Sequence, residues 1–256
     1  METVSNSTNV KSQYKTSNNL NTRINIHAKY STNKQGFGNW ITSNYKITDG
    51  LNVLELGCGT GDMWKDGSEI IGRCSKFVLS DFSEGMIDQT KENLKAISGI
   101  EYLTIDIQDI PFEDSEFDVV IANMMLYHVP DLAKGLSEVR RVLKDGGKFY
   151  CATFGEHGIM EYITSLFGLE NGTNTNFTLQ NGESKLAPVF SEITRLNYED
   201  SLAVTDVDDL VDYVCSLGNM SGLEQFSREK IREVLALNIK DGVLNVPKEY
   251  GMFVAS

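Results

Sequence analysis

The sequence predicts an α/β fold, in which helices flank an open, doubly wound and mostly parallel sheet. From Lys46 onward, short apolar runs alternate with segments of helical periodicity, which is typical of strand–helix–strand units with right-handed crossovers. The runs are apolar at successive positions, as in strands that are buried on both faces of a parallel sheet. A chain of 256 residues is long enough for one such domain with an insertion.

The strands are predicted where these apolar runs occur. In chain order, the runs cover residues 53–56, 77–79, 102–105, 119–122 and 149–154. Two further strands are predicted, one from the β-like pattern of residues 193–204 and one at the apolar segment 251–255.

The helices are predicted from their caps and their apolar spacing. The first contains Leu20, Ile24 and His27 on one face. The caps of the later helices are Ser83, the pair Pro130 and Asp131, a capping box that opens at Thr205, and Ser227. The helix that opens at Asp131 is predicted to bury Leu143 and to end at Gly146.

Composition divides the chain into three parts. Residues 1–19 are rich in Asn, Ser and Thr and predict a flexible tail, and residues 20–46 predict a helical cap rich in aromatic side chains. Residues 47–256 form the main domain. Within it, periodicity fades around residues 156–205, which predicts a lid or a substrate-specificity insertion.

The charge balance disfavours several classes of partner. With 36 acidic and 23 basic residues, the net charge of −13 is opposite to what nucleic acid or an anionic membrane surface attracts. No apolar run approaches the roughly 20 residues of a membrane span, and no signal-peptide pattern occurs, so we expect a cytoplasmic protein. The four cysteines and three histidines are not spaced as ligand pairs, so no metal is expected.

An apolar strand, an acidic residue and alternate glycines occur together in the segment VLELGCGTGD at 53–62. At the end of a central strand, such glycines allow a sharp turn and the close approach of a ligand. A dinucleotide fingerprint needs a glycine where Asp62 stands, and the Lys-Ser/Thr of a P-loop is missing. The segment therefore predicts a nucleotide-type cofactor site.

Carboxylates also follow the next two predicted strands. Asp81 ends the second strand, where it can accept hydrogen bonds from both hydroxyls of a ribose. Asp106 follows the third strand and can accept a hydrogen bond from an adenine amino group. Either residue alone is more often a helix cap or a solvated carboxylate. Together with the glycine loop, they favour a cofactor that contains a nucleoside.

Five motifs in order resemble those of the class I S-adenosylmethionine-dependent methyltransferases, and most of all the small-molecule branch with ubiquinone- and menaquinone-biosynthesis-type enzymes. The motifs are VLELGCGTG at 53–61, LSDFS at 79–83, Asp106 with DIPF at 109–112, FDVV at 117–120 with Asn123, and EVRRVLKDGG at 138–147. The resemblance covers most of residues 50–155. It implies a Rossmann-like, seven-stranded sheet whose last strand, at 251–255, is antiparallel. It also implies S-adenosyl-L-methionine as the cofactor.

The resemblance further implies roles for the motif residues. The cofactor-binding residues would be Glu55, Gly57, Gly59, Gly61 and Asn123 around the methionine part, Asp81 at the ribose, and Asp106 with Ile107 at the adenine, with Cys58 and Phe82 as further cofactor contacts. The chain departs from the family at Asp145, where proline is frequent, and at Ile107, where alanine is frequent. The second departure predicts a slightly reshaped adenine pocket.

Two residues just beyond the fourth predicted strand are candidates for catalysis. His128 is the first candidate, because histidine ordinarily titrates near neutrality and suits proton abstraction from the acceptor. Tyr127 is the second candidate. A structural role, as a cap of the following helix or as a packed ring, is the alternative for His128.

The aromatic amino-terminal segment is predicted to cover the cofactor and the acceptor. In this hypothesis Tyr30 contacts the cofactor as a cation–π partner of the sulfonium, and His27 and Trp40 contact the acceptor. The alternative is that these side chains only anchor the first helix to the core. Arg195 and Tyr198 are further candidates for acceptor binding, with solvated positions as the alternative.

The predicted function is the in-line transfer of a methyl group from S-adenosylmethionine to a small-molecule acceptor. The chain lacks the Asp/Asn-Pro-Pro-Tyr/Phe tetrad of adenine and glutamine amino methylation and the Pro-Cys pair of cytosine C5 methylation. Three alternatives stay open: a protein methyltransferase, a nicotinamide-nucleotide oxidoreductase, and a non-catalytic binding protein on the same fold.

Overall fold

The computed structural model describes residues 17–169, 175–218 and 222–256. Residues 1–16 of the predicted tail and residues 170–174 of the predicted insertion lie outside the described residues. Residues 17–19, which the composition assigns to the tail, belong to the first helix.

Seven strands form one sheet, as predicted. They are β1 (Asn52–Leu56), β2 (Lys76–Asp81), β3 (Glu101–Thr104), β4 (Phe117–Ile121), β5 (Leu143–Phe154), β6 (Ile193–Val204) and β7 (Leu244–Ala255). The strand order is β3-β2-β1-β4-β5-β7-β6, and β7 alone is antiparallel. The order reverses between β1 and β4, and in such sheets ligands bind at the carboxyl ends of the strands beside this point.

The described residues also form helices on either side of these strands. They are α1 (Ser17–Tyr30), α2 (Phe37–Ser43), α3 (Ser68–Arg73), α4 (Glu84–Asn93), α5 (Leu132–Val142), α6 (Ile159–Leu166), α7 (Gly182–Leu186), α8 (Val207–Ser216) and α9 (Arg228–Ala236). Two predicted caps are confirmed, because the Asp131 side chain accepts from Lys134 N and the Ser227 side chain from Lys230 N.

Several predicted boundaries are wrong by up to seven residues, since β5 begins at Leu143 rather than at 149 and β7 begins at Leu244 rather than at 251. The cap of α8 is Asp206 rather than Thr205, since the Asp206 carboxylate accepts a hydrogen bond from Asp208 N at 3.0 Å. Helix α5 ends at Val142, and Leu143 already belongs to β5. Apolar spacing alone could not separate the two elements, because the strand follows the helix without a connecting loop.

The chain forms two compact units. Unit 1 combines the described residues up to 36 with those of 154–175 and 197–250, and unit 2 combines 37–153, 176–196 and 251–256. In unit 2, alternate residues of the central strands enter two separate apolar clusters. Val53 and Val119 belong to one cluster, whereas Leu54 and Val120 belong to the other. The central strands are therefore buried on both faces, which explains their continuous apolar runs.

Candidate active site

The glycine loop that follows β1 is left-handed at each of its alternate glycines. The φ angle is +74° at Gly57, +59° at Gly59 and +72° at Gly61, a region that side chains disfavour. A Cβ at Gly57 would lie 2.8 Å from Met125 Cγ, and one at Gly61 would lie 2.6 Å from Thr90 Cγ2. At Gly59 no described atom beyond the glycine and its two chain neighbours lies within 4 Å of that position. The loop is thus packed at two glycines and open at the middle one.

Side chains of α4 hold this loop in place. Thr90 Oγ1 donates to the Gly59 carbonyl at 2.7 Å, and Asn93 Nδ2 donates to the Thr60 carbonyl at 2.9 Å. The Cys58 N–H donates to a carbonyl of β2 at 2.8 Å. Burial raises the pKa of the Cys58 thiol, so this side chain is uncharged at neutral pH. The loop is preorganised by protein contacts before any ligand binds.

Asp81 connects the end of β2 to the glycine loop. One carboxylate oxygen accepts from Gly59 N at 3.0 Å, and the other accepts from Ser83 N at 2.8 Å. Burial raises the pKa of Asp81, and these two hydrogen bonds oppose that effect. A carboxylate offers about four lone pairs, so two remain for a ligand. The adjacent Phe82 is 42% exposed, and its predicted contact with the cofactor stays a prediction.

Glu55 is a buried carboxylate at the end of β1, with 2% of its surface exposed. The Trp64 indole N–H donates to one of its oxygens. Burial raises the pKa of Glu55 to about 7, the Trp64 hydrogen bond opposes the rise, and the nearby Asp81 charge adds to it. No described cation neutralises this group. A ligand that brought a positive charge to Glu55 would remove much of the cost of ionising it.

Asn123 follows β4 and is oriented by three contacts. Its Oδ1 accepts from Ala152 N at 3.1 Å, and its Nδ2 donates to the Tyr45 hydroxyl at 2.6 Å and lies 3.9 Å from Met63 Sδ. Burial raises the pKa of Tyr45, so its hydroxyl is neutral. Because the Ala152 N–H can only donate, the amide oxygen of Asn123 must face it, and the orientation of the amide is settled.

Asp106 and Ile107 follow β3 and differ in their surroundings. Gln108 N donates to Asp106 Oδ1 at 2.9 Å. Asp106 is half-buried at the edge of the site. The Ile107 side chain is buried in the core, where a Cβ on Gly135 of α5 would lie only 3.4 Å from it. A glycine on the helix thus accommodates the larger side chain that stands where alanine is frequent.

His128 and Tyr127 lie in a 3-10 turn, Leu126–His128, between β4 and α5. Their ring centroids are 4.4 Å apart. His128 Nδ1 is buried and has no hydrogen-bond partner among the described residues, and burial lowers the pKa of His128. Met124, at the start of this segment, has a φ of +52°, which is rare for a residue with a side chain and is often associated with functional sites.

Two of the predicted amino-terminal contacts lie in unit 1. Tyr30 is 4% exposed, and its hydroxyl donates to an Asp209 carboxylate oxygen. The His27 ring makes edge contacts with Tyr213 and Tyr250, at 6.3 and 6.1 Å between centroids. These contacts give both side chains a structural role in α1, and their contacts with cofactor or acceptor stay predictions.

The remaining predicted acceptor residues are Tyr198, Arg195 and Trp40. Tyr198 is buried in unit 1 at 3% exposure, and its hydroxyl lies 3.5 Å from the Asn33 carbonyl. Arg195 is exposed in unit 2 and donates to the Leu179 carbonyl at 2.8 Å. Trp40 stacks on the first residue of α2 with ring centroids 5.9 Å apart. Their roles toward an acceptor stay predictions.

Four residues that contribute to the site were not singled out from the sequence, namely Thr90, Asn93, Trp64 and Gln108. The sequence pattern could have indicated Thr90, because it is a polar residue on the otherwise apolar face of α4 between Ile87 and Leu94. A fully buried threonine at such a position usually has a hydrogen-bond partner nearby.

Within the described parts of the chain, no group of three or more His, Cys, Asp or Glu side chains is placed to hold a metal ion. None of the helices α1 to α9 combines the length and the apolar character that crossing a membrane requires.

Known proteins share the segment that builds this site. A family model described as a methyltransferase domain matches residues 54–151. A demethylmenaquinone methyltransferase from Lactococcus lactis is 43% identical over 104 residues, which are 40% of this chain and 41% of that protein. A demethylmenaquinone methyltransferase from Staphylococcus carnosus is 34% identical over 111 residues, or 43% and 46% of the two chains. The chain therefore matches less than half the length of these relatives.

The fold has solved counterparts over a larger part of the chain. A candidate methyltransferase from Bacillus halodurans superimposes with a TM-score of 0.60 and 16% identity, over 86% of this chain and 97% of that one. At this identity the likeness shows the fold alone. Residues 54–151 thus match a methyltransferase domain, and the fold of the chain is that of a solved candidate methyltransferase.

Proposed function

We propose that this protein transfers a methyl group from S-adenosylmethionine to a small-molecule acceptor. The observation that carries the proposal is the presence of two carboxylates beside the open glycine loop, the buried Glu55 at the end of β1 and the half-buried Asp81 at the end of β2. Gly59 N donates to Asp81 at 3.0 Å, so the loop and the end of β2 form one preorganised unit. This arrangement favours a ligand with neighbouring hydroxyls and a cationic group.

The chemistry of these groups fits S-adenosylmethionine. The two free lone pairs of Asp81 suit the two hydroxyls of its ribose, and Glu55 suits the ammonium of its methionine part. The space beside Gly59 allows close approach of the ligand to the backbone. By contrast, Asp62 places a carboxylate where a dinucleotide-binding loop has a glycine, and a carboxylate there disfavours a pyrophosphate.

When bound, the sulfonium of S-adenosylmethionine supplies the methyl group that is transferred. The protein's own residues orient the reacting groups and exclude water. Asn123 presents an amide whose orientation is settled by Ala152 and Tyr45. His128 has a ring nitrogen, Nδ1, without a partner among the described residues, and it can hold a proton taken from the acceptor.

The proposed acceptor is a small molecule with an acidic hydroxyl or carbon. The net charge of −13 disfavours a nucleic acid. The two relatives described above are named as demethylmenaquinone methyltransferases, so a demethylated naphthoquinol is the first acceptor to test, followed by other quinols and phenols.

Substitution of Asp81 by alanine is expected to weaken binding of S-adenosylmethionine and S-adenosylhomocysteine by at least about 100-fold. Two hydrogen bonds to a charged group are lost, each worth about 1.5–3 kcal/mol. Calorimetric titration of wild type and variant with both ligands and with NADH measures the effect. Asp88→Ala, at an exposed position of α4, is the matched control and should bind as wild type does.

Two results would contradict the proposal. A folded wild-type protein that binds neither sulfur compound would remove the cofactor from the proposal, and binding of NADH instead would favour the oxidoreductase alternative. Thermal unfolding of Asp81→Ala separates lost binding from lost structure, because the variant is expected to unfold cooperatively.

Substitution of His128 by asparagine is expected to lower kcat with the naphthoquinol by about 100-fold or more, with unchanged affinity for S-adenosylhomocysteine. Since burial lowers the pKa of His128, the free base is present at neutral pH. Wild-type kcat should therefore stay constant above pH 7 and fall only as acid protonates the ring. A His128→Asn variant that keeps the wild-type kcat and pH profile would assign His128 a structural role.

A further inference from the structure

Tyr45 precedes β1 and contacts two residues of the candidate site. Its hydroxyl lies 2.6 Å from Asn123 Nδ2, and its ring stacks on Trp64 with centroids 6.1 Å apart. The same Trp64 donates its indole N–H to Glu55. The Tyr150 ring makes an edge contact with Tyr45, at 5.0 Å between centroids. These ring contacts hold the Tyr45 hydroxyl in the part of the site that contains Asn123 and Glu55.

The direction of the hydrogen bond between Tyr45 and Asn123 follows from a third residue. Ala152 N can only donate, and it lies 3.1 Å from Asn123 Oδ1, so the amide nitrogen Nδ2 must face Tyr45. An amide nitrogen also can only donate, so the Tyr45 oxygen accepts this hydrogen bond. Asn123 is the one hydrogen-bond partner that the Tyr45 hydroxyl has among the described residues. The phenol proton of Tyr45 thus has no acceptor within the described parts of the chain.

A phenol proton in this position favours a ligand that supplies an acceptor. Burial raises the pKa of Tyr45, and the Glu55 charge raises it further, so the phenol keeps its proton at neutral pH. A buried donor without a partner is unfavourable, and a hydrogen bond to an ionised acceptor is stronger than one to a neutral acceptor. Because the Glu55 charge repels a lone anion, the ligand group that fits is a carboxylate that arrives together with a cation.

We propose that Tyr45 donates its proton to the carboxylate of the methionine part of S-adenosylmethionine, and that it thereby makes the site specific for the intact cofactor over its decarboxylated form. In S-adenosylmethionine this carboxylate and the ammonium are attached to one carbon, so the two groups reach Tyr45 and Glu55 together. This inference rests on the proposed function, because that function assigns the ammonium to Glu55.

The carboxylates of the site do not make this selection. The decarboxylated form keeps the ribose, the sulfonium, the methyl group and the ammonium, so it offers Asp81 and Glu55 the same partners. The Glu55 charge even attracts it more strongly, because it carries one more positive charge. Tyr45 opposes that preference, since a site built to donate a hydrogen bond rejects an analogue that lacks the acceptor.

The test compares S-adenosylhomocysteine with decarboxylated S-adenosylhomocysteine by calorimetric titration at one fixed pH. Wild type is expected to prefer the compound with the carboxylate by at least about tenfold. Tyr45→Phe keeps the ring that stacks on Trp64 and removes the phenol proton, so it should reduce this ratio by at least about tenfold. Asn123 also loses an acceptor in this variant, but that loss affects both ligands alike and cancels in the ratio.

Tyr150→Phe is the matched control and should keep the wild-type ratio, because the Tyr150 hydroxyl already accepts from Lys46 N at 3.1 Å. A merely structural role of Tyr45 would lower thermal stability and both affinities alike. An unchanged ratio in Tyr45→Phe, or an equal fall in Tyr150→Phe, would therefore overturn the inference while the proposed function stands. Equal binding of both compounds by wild type would overturn it without any variant. If wild type binds neither compound, the proposed function fails and this inference fails with it.

Discussion

Replacing Glu55 by glutamine is expected to stabilise the ligand-free protein at pH 8 and to weaken its affinity for S-adenosylmethionine by about 10- to 100-fold. Burial raises the pKa of Glu55 to about 7, whereas an unfolded glutamate titrates near 4.3. The folded state thus holds the proton more tightly than the unfolded state. The contribution of Glu55 to stability is complete below about pH 4 and is lost as the pH rises from there through 7, by about 4 kcal/mol in total.

Glutamine removes that loss because it is neutral at every pH and still offers an oxygen to the Trp64 N–H. Urea denaturation at pH 5 and pH 8 should show a free energy of unfolding that falls with pH in wild type more than in Glu55→Gln. Wild-type affinity for S-adenosylmethionine should rise as Glu55 ionises through pH 7. The exposed Glu92→Gln is the control. Parallel stability curves for wild type and Glu55→Gln would contradict the raised pKa.

Two glycines of the same loop are expected to respond differently to alanine. Gly61→Ala should cost about 2–5 kcal/mol of stability, because the left-handed backbone costs about 1–2 kcal/mol and the added Cβ overpacks a full core. That Cβ would lie 2.6 Å from Thr90 Cγ2 and 3.0 Å from Leu94 Cδ1. Gly59→Ala should cost only the backbone part, because its Cβ would meet no described atom within 4 Å.

The two alanine variants should also differ in their affinity for the ligand. At Gly59 the added methyl group would occupy space that we assign to the cofactor, so binding of S-adenosylhomocysteine should weaken by tenfold or more in a protein that remains folded. Urea denaturation and calorimetric titration of both variants check the two effects. Wild-type affinity in Gly59→Ala would show that the open space beside this glycine is not used by the ligand.

The sequence predicted the parts of the fold in which local pattern and burial agree. The runs at 53–56 and 119–122 are apolar at every position because neighbouring residues enter clusters on opposite faces of the sheet. The glycines at 57, 59 and 61 were predicted as a turn because no other residue type adopts that backbone so readily. These features are encoded within a few residues of one another.

The contacts that complete the site depend on residues that are distant in the chain. Thr90 reaches Gly59 across 31 positions, and Gln108 reaches Asp131 across 23. The sequence alone does not indicate which polar side chains have such a distant partner, since the same residue types are common on exposed surfaces. The hydrogen bond that the Trp64 indole donates to Glu55 also depends on tertiary structure, because it requires the turn at 62–64 that returns the indole to β1.

Unit 1 combines segments that lie far apart in the sequence, so they are synthesised at different times. The Tyr30 hydroxyl contacts Asp209, which lies 179 positions later in the chain. At translation rates of about 5–20 residues per second, α1 leaves the ribosome about 10–35 s before that partner has been made. During this time residues 37–153 can already collapse around β1 to β5. Nascent α1 is therefore without this partner while β1 to β5 form.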